Sequence, residues 1–214
     1  MFFFVNVTGE NMVITDVKRN KDNVILSIEG KYSLVISEEE YLRLNLYDKA
    51  ELTKEEFDYI NHQINFRKAK SVAVRFVSLK LRSEKEIYNR LIDSGYDGST
   101  VLKVIEELKA MGYINDLLYA SKFIHDRCKL KPKSLKMLRF ELKNKGIPDP
   151  IIGEVLDKAD IDEHAVAEGL VRKKFGKYDL SDDKIVKKVY NFLAHRGYSF
   201  SVIENVLRNI RECK

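Results

Sequence analysis

Four histidines and two cysteines are the residues of this chain best suited to metal or nucleophilic chemistry: His62, His125, His164, His195, Cys128 and Cys213. A metal centre needs such ligands in clusters, and a nucleophile needs a base within hydrogen-bond reach. Here the histidines stand singly, and each reads as an ordinary helix residue. The cysteines lie too far apart for a zinc motif. Cys128 falls near a predicted helix end, where an inert packed thiol is the usual outcome. There is no phosphate-binding glycine loop, no His-Glu-x-x-His pair and no nucleophile elbow. Asp182 and Asp183 follow Ser181 and precede an apolar-periodic stretch, the pattern of a helix N-cap rather than of a cation site. No catalytic residue, metal site or cofactor is expected, and the chain reads as a non-enzyme.

The chemistry that does stand out is cationic. Between Arg127 and Lys145 lie eight basic residues, Arg127, Lys129, Lys131, Lys133, Lys136, Arg139, Lys143 and Lys145, against one acid, Glu141. Beyond Pro132, Leu135, Leu138 and Leu142 recur at helical spacing as a core stripe, and Lys136, Arg139 and Lys143 fall on an adjoining face. A charge run is often only a solvated face; the near absence of neutralising acids favours a binding role. Weaker echoes occur at Arg75, Lys80 and Arg82, at Lys173, Lys174 and Lys177, and at Lys184, Lys187 and Lys188. The candidate partner-binding set is Arg75, Lys80, Arg82, the eight residues of the run, Lys187 and Lys188. Its chemistry suits nucleic acid or an acidic protein groove.

Composition agrees with such a surface. Residues 1–67 carry 8 Lys/Arg against 12 Asp/Glu, residues 68–160 carry 19 against 13, and residues 161–214 carry 11 against 8. The net charge of +5 therefore resides in the middle and end of the chain. With 44% hydrophobic residues a real core can form, and 10 glycines and 3 prolines in 214 residues fit neither a Gly/Pro-rich disordered protein nor a loop-rich β-sandwich. Apolar runs are too short to span a bilayer, and the N-terminal Met1-Phe2-Phe3-Phe4-Val5 lacks the features of a signal peptide. Two distant cysteines suit a reducing compartment, so a cytoplasmic location is expected.

The elements that must position these charges are helical from Ser37 onward. Before that, Val24–Ile28 and Tyr32–Ile36, with Val13, Ile14 and Val17 ahead of the turn-like Arg19–Asn23, read as a two- or three-strand meander. Ser37 with Glu40, and Thr53 with Glu56, form capping boxes. Phe57, Ile60, Ile64, Val72, Phe76 and Leu79 continue at helical spacing. Then a repeat appears: Gly95, Gly146 and Gly197 are 51 residues apart each time. Leu91, Leu142 and Leu193 stand four residues before them, Ile87, Leu138 and Val189 eight before, and Val101, Ile152 and Ile203 six after. Each glycine suits a left-handed helix end, followed by an apolar contact (Tyr96, Ile147, Tyr198) and a cap for the next helix: Asp97 or Ser99, Asp149, and Ser199. Upstream helices are predicted at about residues 68–80, 116–128 and 162–175. The expected architecture is mainly α, a curved tandem array of three three-helix repeats behind a small N-terminal β-meander. The expected divisions are 1–11 as a disordered leader or an over-long start, 12–52 as meander plus short helix, 53–115 as linker helix and first repeat, 116–160 as second repeat and 161–214 as third repeat.

Three stretches in this frame resemble the RecX family, regulatory proteins of the RecA recombinase. They are Leu79–Ile87 running on to Gly95; Gly112-Tyr113-Ile114-Asn115-Asp116 with Tyr119, Ala120, Phe123, Ile124 and Arg127; and Leu142–Ile147. Arg196–Phe200 completes the third repeat. The resemblance spans about residues 68–212, and the N-terminal part matches the longer members. The family often places a Lys-Gly-Pro turn where this sequence has Lys131-Pro132-Lys133. Tyr113, Tyr119 and Phe123 read as core residues joining the first repeat to the second, with Asn115 or Asp116 as a helix cap. The resemblance implies a regulator, not an enzyme. It implies binding in the groove of the RecA nucleoprotein filament, with suppression of recombinase, ATPase and co-protease activity in the DNA-damage response, and in some members direct binding to DNA. A monomer without membrane contact is expected. The alternative from the residues alone is a stand-alone, sequence-independent DNA- or RNA-binding helical module.

Overall fold

The computed structural model describes residues 11–20 and 23–212. Of the expected leader only Asn11 falls among them, donating through Nδ2 to Glu51 Oε2 at 2.8 Å, and Cys213 lies outside them. The chain divides into two compact units, one ending at Ile114 and one starting at Asn115.

The first unit opens with strands β1 (Met12–Asn20), β2 (Asn23–Ile28), β3 (Tyr32–Ser37) and β4 (Glu51–Leu52) in the antiparallel order β3-β2-β1-β4. Val24, Leu26 and Ile28 alternate inward on β2 opposite Ile36, Leu34 and Tyr32 of β3, and all but Tyr32 are fully buried. The meander is thus as expected, with a fourth strand added. Two residues are too few to show alternation, so β4 shows only in its pairing with β1, Met12 with Leu52 and Val13 with Glu51.

Both expected capping boxes form, Ser37 with Glu40 before α1 (Glu38–Arg43) and Thr53 with Glu56 before α2 (Lys54–Tyr59). From α2 the chain runs without a break through a π-helical turn, Ile60–Asn65, into α3 (Phe66–Ser78). There the Phe66 N–H donates to the Asn61 carbonyl, five residues back. Leu79, expected in the apolar stripe, is 75% exposed because α3 ends one residue earlier.

Helices α3, α4 (Glu84–Asp93) and α5 (Gly98–Ala110) form the first three-helix repeat around Ala69, Ala73, Ile87, Leu91, Val101 and Val104. The second unit holds α6 (Asp116–Leu130), α7 (Leu135–Asn144) and α8 (Asp149–Ala159), then α9 (Glu163–Phe175), α10 (Asp183–Ala194) and α11 (Phe200–Glu212). The repeat glycines end α4, α7 and α10 with φ of +96°, +81° and +84°. At Gly95 the glycine N–H donates to Ile92 O at 2.9 Å and the Tyr96 N–H to Leu91 O at 3.2 Å, and Gly146 and Gly197 repeat the pair. This is the Schellman closure, which satisfies helix-end carbonyls and presses the next apolar residue onto the core. Tyr96, Ile147 and Tyr198 are buried accordingly.

Asp97 caps α5, accepting from the Ser99 and Thr100 amides, and Ser199 Oγ accepts from Val202 N–H at the start of α11. Asp182 caps α10, with Asp183 in its first turn. Asp149 does not cap α8. Pro148 occupies that position, already extended at φ −62° and ψ 143°, and Asp149 enters the first turn.

Candidate macromolecule-binding site

Helix α7 presents the basic face. Ser134 caps it by accepting from Met137 N–H at 3.1 Å, which fixes its rotation. Leu138 and Leu142 turn inward and are fully buried, with Leu135 packed beside them. Lys136, Arg139 and Lys143 are exposed, as their spacing requires. Lys143 pairs with Asp149 at 3.0 Å, whereas Lys136 and Arg139 have no ion pair among the described residues.

Between them stands a residue that charge counting passes over. Phe140 is 58% exposed, one turn from Lys136 and from Lys143. The corresponding positions, six residues before Gly95 and Gly197, hold Asn89 and Asn191, so the second repeat alone sets an open aromatic ring there. Its signal in the sequence was an aromatic residue outside the apolar stripe.

Other members of the expected set have structural employment. Glu141 forms ion pairs with Arg127, Nε to Oε2 at 2.9 Å but without hydrogen-bond geometry, and with the Lys133 ammonium, and its side chain is only 18% exposed. This triad ties α6, the connection to α7 and α7 together, and Arg127 also lies over the Phe123 ring at 4.9 Å. Arg82 stacks on Phe76 at 3.8 Å. Lys145 is half-buried at the end of α7. Arg75, Lys80, Lys129, Lys131, Lys187 and Lys188 are exposed. Arg75, Lys80 and Arg82 belong to the first unit and the rest to the second.

Asn115 Oδ1 caps α6 by accepting from Leu118 N–H at 2.9 Å. Tyr119 and Phe123 stack with centroids 6.3 Å apart against the core of the second repeat. Tyr113, expected in the core, is 53% exposed: it follows Gly112, which ends α5 in a further left-handed turn at φ +77°. Burial raises the Cys128 thiol above its usual pKa, which disfavours a nucleophilic thiolate. No group of three metal-capable side chains occurs among the described residues. No helix among them is long and apolar enough to cross a membrane.

The repeats match three family models in order: the first three-helix domain of RecX over residues 69–108, the second over 115–156 and the third over 161–207. A regulatory protein RecX from Clostridium tetani is 30% identical over 197 residues, covering 90% of each chain. The chain belongs to the RecX family. A relative from Clostridium beijerinckii, also named regulatory protein RecX, is 32% identical over 197 residues and covers 90% of this chain and 92% of its own. A crystal structure of regulatory protein RecX superposes with a TM-score of 0.62 at 23% identity, over 91% of this chain and 98% of that one. The RecX structure from Lactobacillus salivarius gives 0.60 at 22% identity, over 68% and 96%. At these identities the structures establish the shared fold.

Proposed function

We propose that this chain regulates RecA–DNA filaments: it binds in the filament groove and lowers recombinase, ATPase and co-protease activity. It acts without catalysis or cofactor, as a monomer in the cytoplasm. The observation that carries the reading is the outward face of α7, where Lys136, Arg139 and Lys143 surround Phe140 on a helix whose inner face is anchored by Leu138 and Leu142. Cations on a rigid helix suit an acidic nucleoprotein surface, and an exposed ring among them suits a central anchor. Relatives named regulatory protein RecX match nearly the whole chain, and the resemblance to that family points to RecA as the partner.

The test is co-sedimentation with RecA filaments on single-stranded DNA. The Lys136→Glu/Arg139→Glu/Lys143→Glu variant should keep its helix content and lose retention. Full retention would remove α7 from the interface. Phe140 among cations also favours a second reading, a stand-alone nucleic-acid binder, because bases stack on open rings. That reading requires tight DNA binding without RecA, falling steeply with salt as counterions are released.

A further inference from the structure

We propose that a cleft in the second unit is a docking site for an acidic peptide segment bearing an apolar side chain. The cleft has a volume of about 930 Å³ and lies between the α6–α7 connection on one side and α9 and α10 on the other. Its rim carries Lys129, Lys131, Lys133, Lys173, Lys174 and Arg196, and no carboxylate lines it. Two basic runs far apart in sequence meet here across the second and third repeats.

The cations are not equivalent. Lys133 is held by Glu141. Arg196 is preorganised: Nη1 donates to the Phe192 carbonyl at 3.2 Å and the guanidinium lies 3.8 Å from the Phe192 ring. Lys174 sits over the same ring at 4.3 Å. Lys129, Lys131 and Lys173 are exposed and have no ion pair among the described residues.

The rest of the lining decides which polyanion fits. Leu130, Val166 and Leu170 supply aliphatic surface. Sites for single-stranded nucleic acid pair a basic groove with open aromatic faces. Two rings line it: Phe192 already carries two cations and offers no free face, which leaves only the exposed His195 imidazole, a single small platform for a base. A phosphate backbone would use the rim and leave the aliphatic surface idle. A segment rich in Asp and Glu with a Leu or Phe among them uses both, the carboxylates on the rim and the apolar side chain against Leu130 and Leu170.

The experiment is a fluorescence-polarisation titration of the full chain with a labelled Asp/Glu-rich peptide containing one Leu, the same peptide with that Leu replaced by Ser, and a labelled oligo-dT strand. Lys131→Glu/Lys173→Glu alters two exposed residues and should weaken the Leu peptide about ten-fold or more, as loss of complementary charge does. Leu130→Ala removes a side chain that is 74% exposed, so the fold should be untouched. It should weaken the Leu peptide several-fold and leave the Ser peptide and the strand unchanged. Absence of peptide binding, indifference to both variants, or displacement of the peptide by the strand at lower concentration would each overturn the assignment. RecA is absent from this assay, so its failure leaves the filament reading standing, and failure of the filament reading leaves the cleft.

Discussion

Tyr198 and Phe140 are opposite cases among the aromatic residues of the second unit. Tyr198 is 5% exposed, and its hydroxyl is buried without a hydrogen-bond partner among the described residues. Burial, with the nearby Glu163 charge, pushes its pKa up to about 12. An unpaired buried hydroxyl stabilises nothing, so Tyr198→Phe should leave stability unchanged or raise it by up to about 1 kcal/mol in thermal melts. A loss of more than that would mean the hydroxyl has a partner. Phe140 is the reverse case. Removing an exposed ring should move stability by no more than about 0.5 kcal/mol. If α7 is the contact face, Phe140→Ala should still cost more than about 1 kcal/mol of filament affinity, read as a several-fold rise in Kd. The cationic spacing of Lys136, Arg139 and Lys143 was legible in the sequence because the leucine stripe sets the phase of α7. The sequestration of Arg127 and Lys133 by Glu141 was not, because charge counting cannot say which acid lies between two cations.

Among the secondary-structure elements, the glycine-terminated helices carry the fold. Gly112, Gly95 and Gly197 share a positive φ but differ in surroundings. An added Cβ meets nothing within 4 Å at Gly112, the flexible end of Ile25 at 2.6 Å at Gly95, and Ser134 Oγ at 2.7 Å with Met137 Cβ at 3.1 Å at Gly197. Alanine should therefore cost about 1 kcal/mol at Gly112 from backbone conformation alone. The cost should be larger at Gly95 and largest at Gly197, where the second repeat packs against the glycine, and equal melting-temperature losses would contradict that ordering. Asp97 provides a pH test. Burial would raise its carboxyl, but hydrogen bonds from the Ser99 and Thr100 hydroxyls and the Thr100 amide outweigh this and hold it below the ordinary 3.8. A lowered folded-state pKa adds stability above the unfolded-state value, and that stability is lost as pH falls through the folded-state value. Asp97→Ala should thus cost about 1 kcal/mol at neutral pH, with the gap to wild type closing on acidification. A constant gap would place the effect in packing instead. Periodicity made these helices and caps legible. It missed the π-helical turn before α3, which buries Asn65 so that Oδ1 accepts from Val35 N–H at 2.8 Å and joins the sheet to the first repeat. It also missed the Ser83–Glu86 capping box before α4, although the residues follow the same rule as the two that were read.

For the whole molecule, a repeat frame proved more informative than any single residue. One glycine with apolar neighbours is a common helix end; three in register at 51-residue spacing mark tandem three-helix domains, and the family matches fall on those domains in order. Which surface meets the partner was less legible, because binding depends on which charges remain free after folding. The most direct test of the filament reading is RecA ATPase on single-stranded DNA, titrated with the purified full chain. A saturable fall in ATPase is expected at chain-to-RecA ratios well below one, lost in the Lys136→Glu/Arg139→Glu/Lys143→Glu variant. ATPase that stays constant over a wide titration of folded wild-type chain would contradict the filament reading.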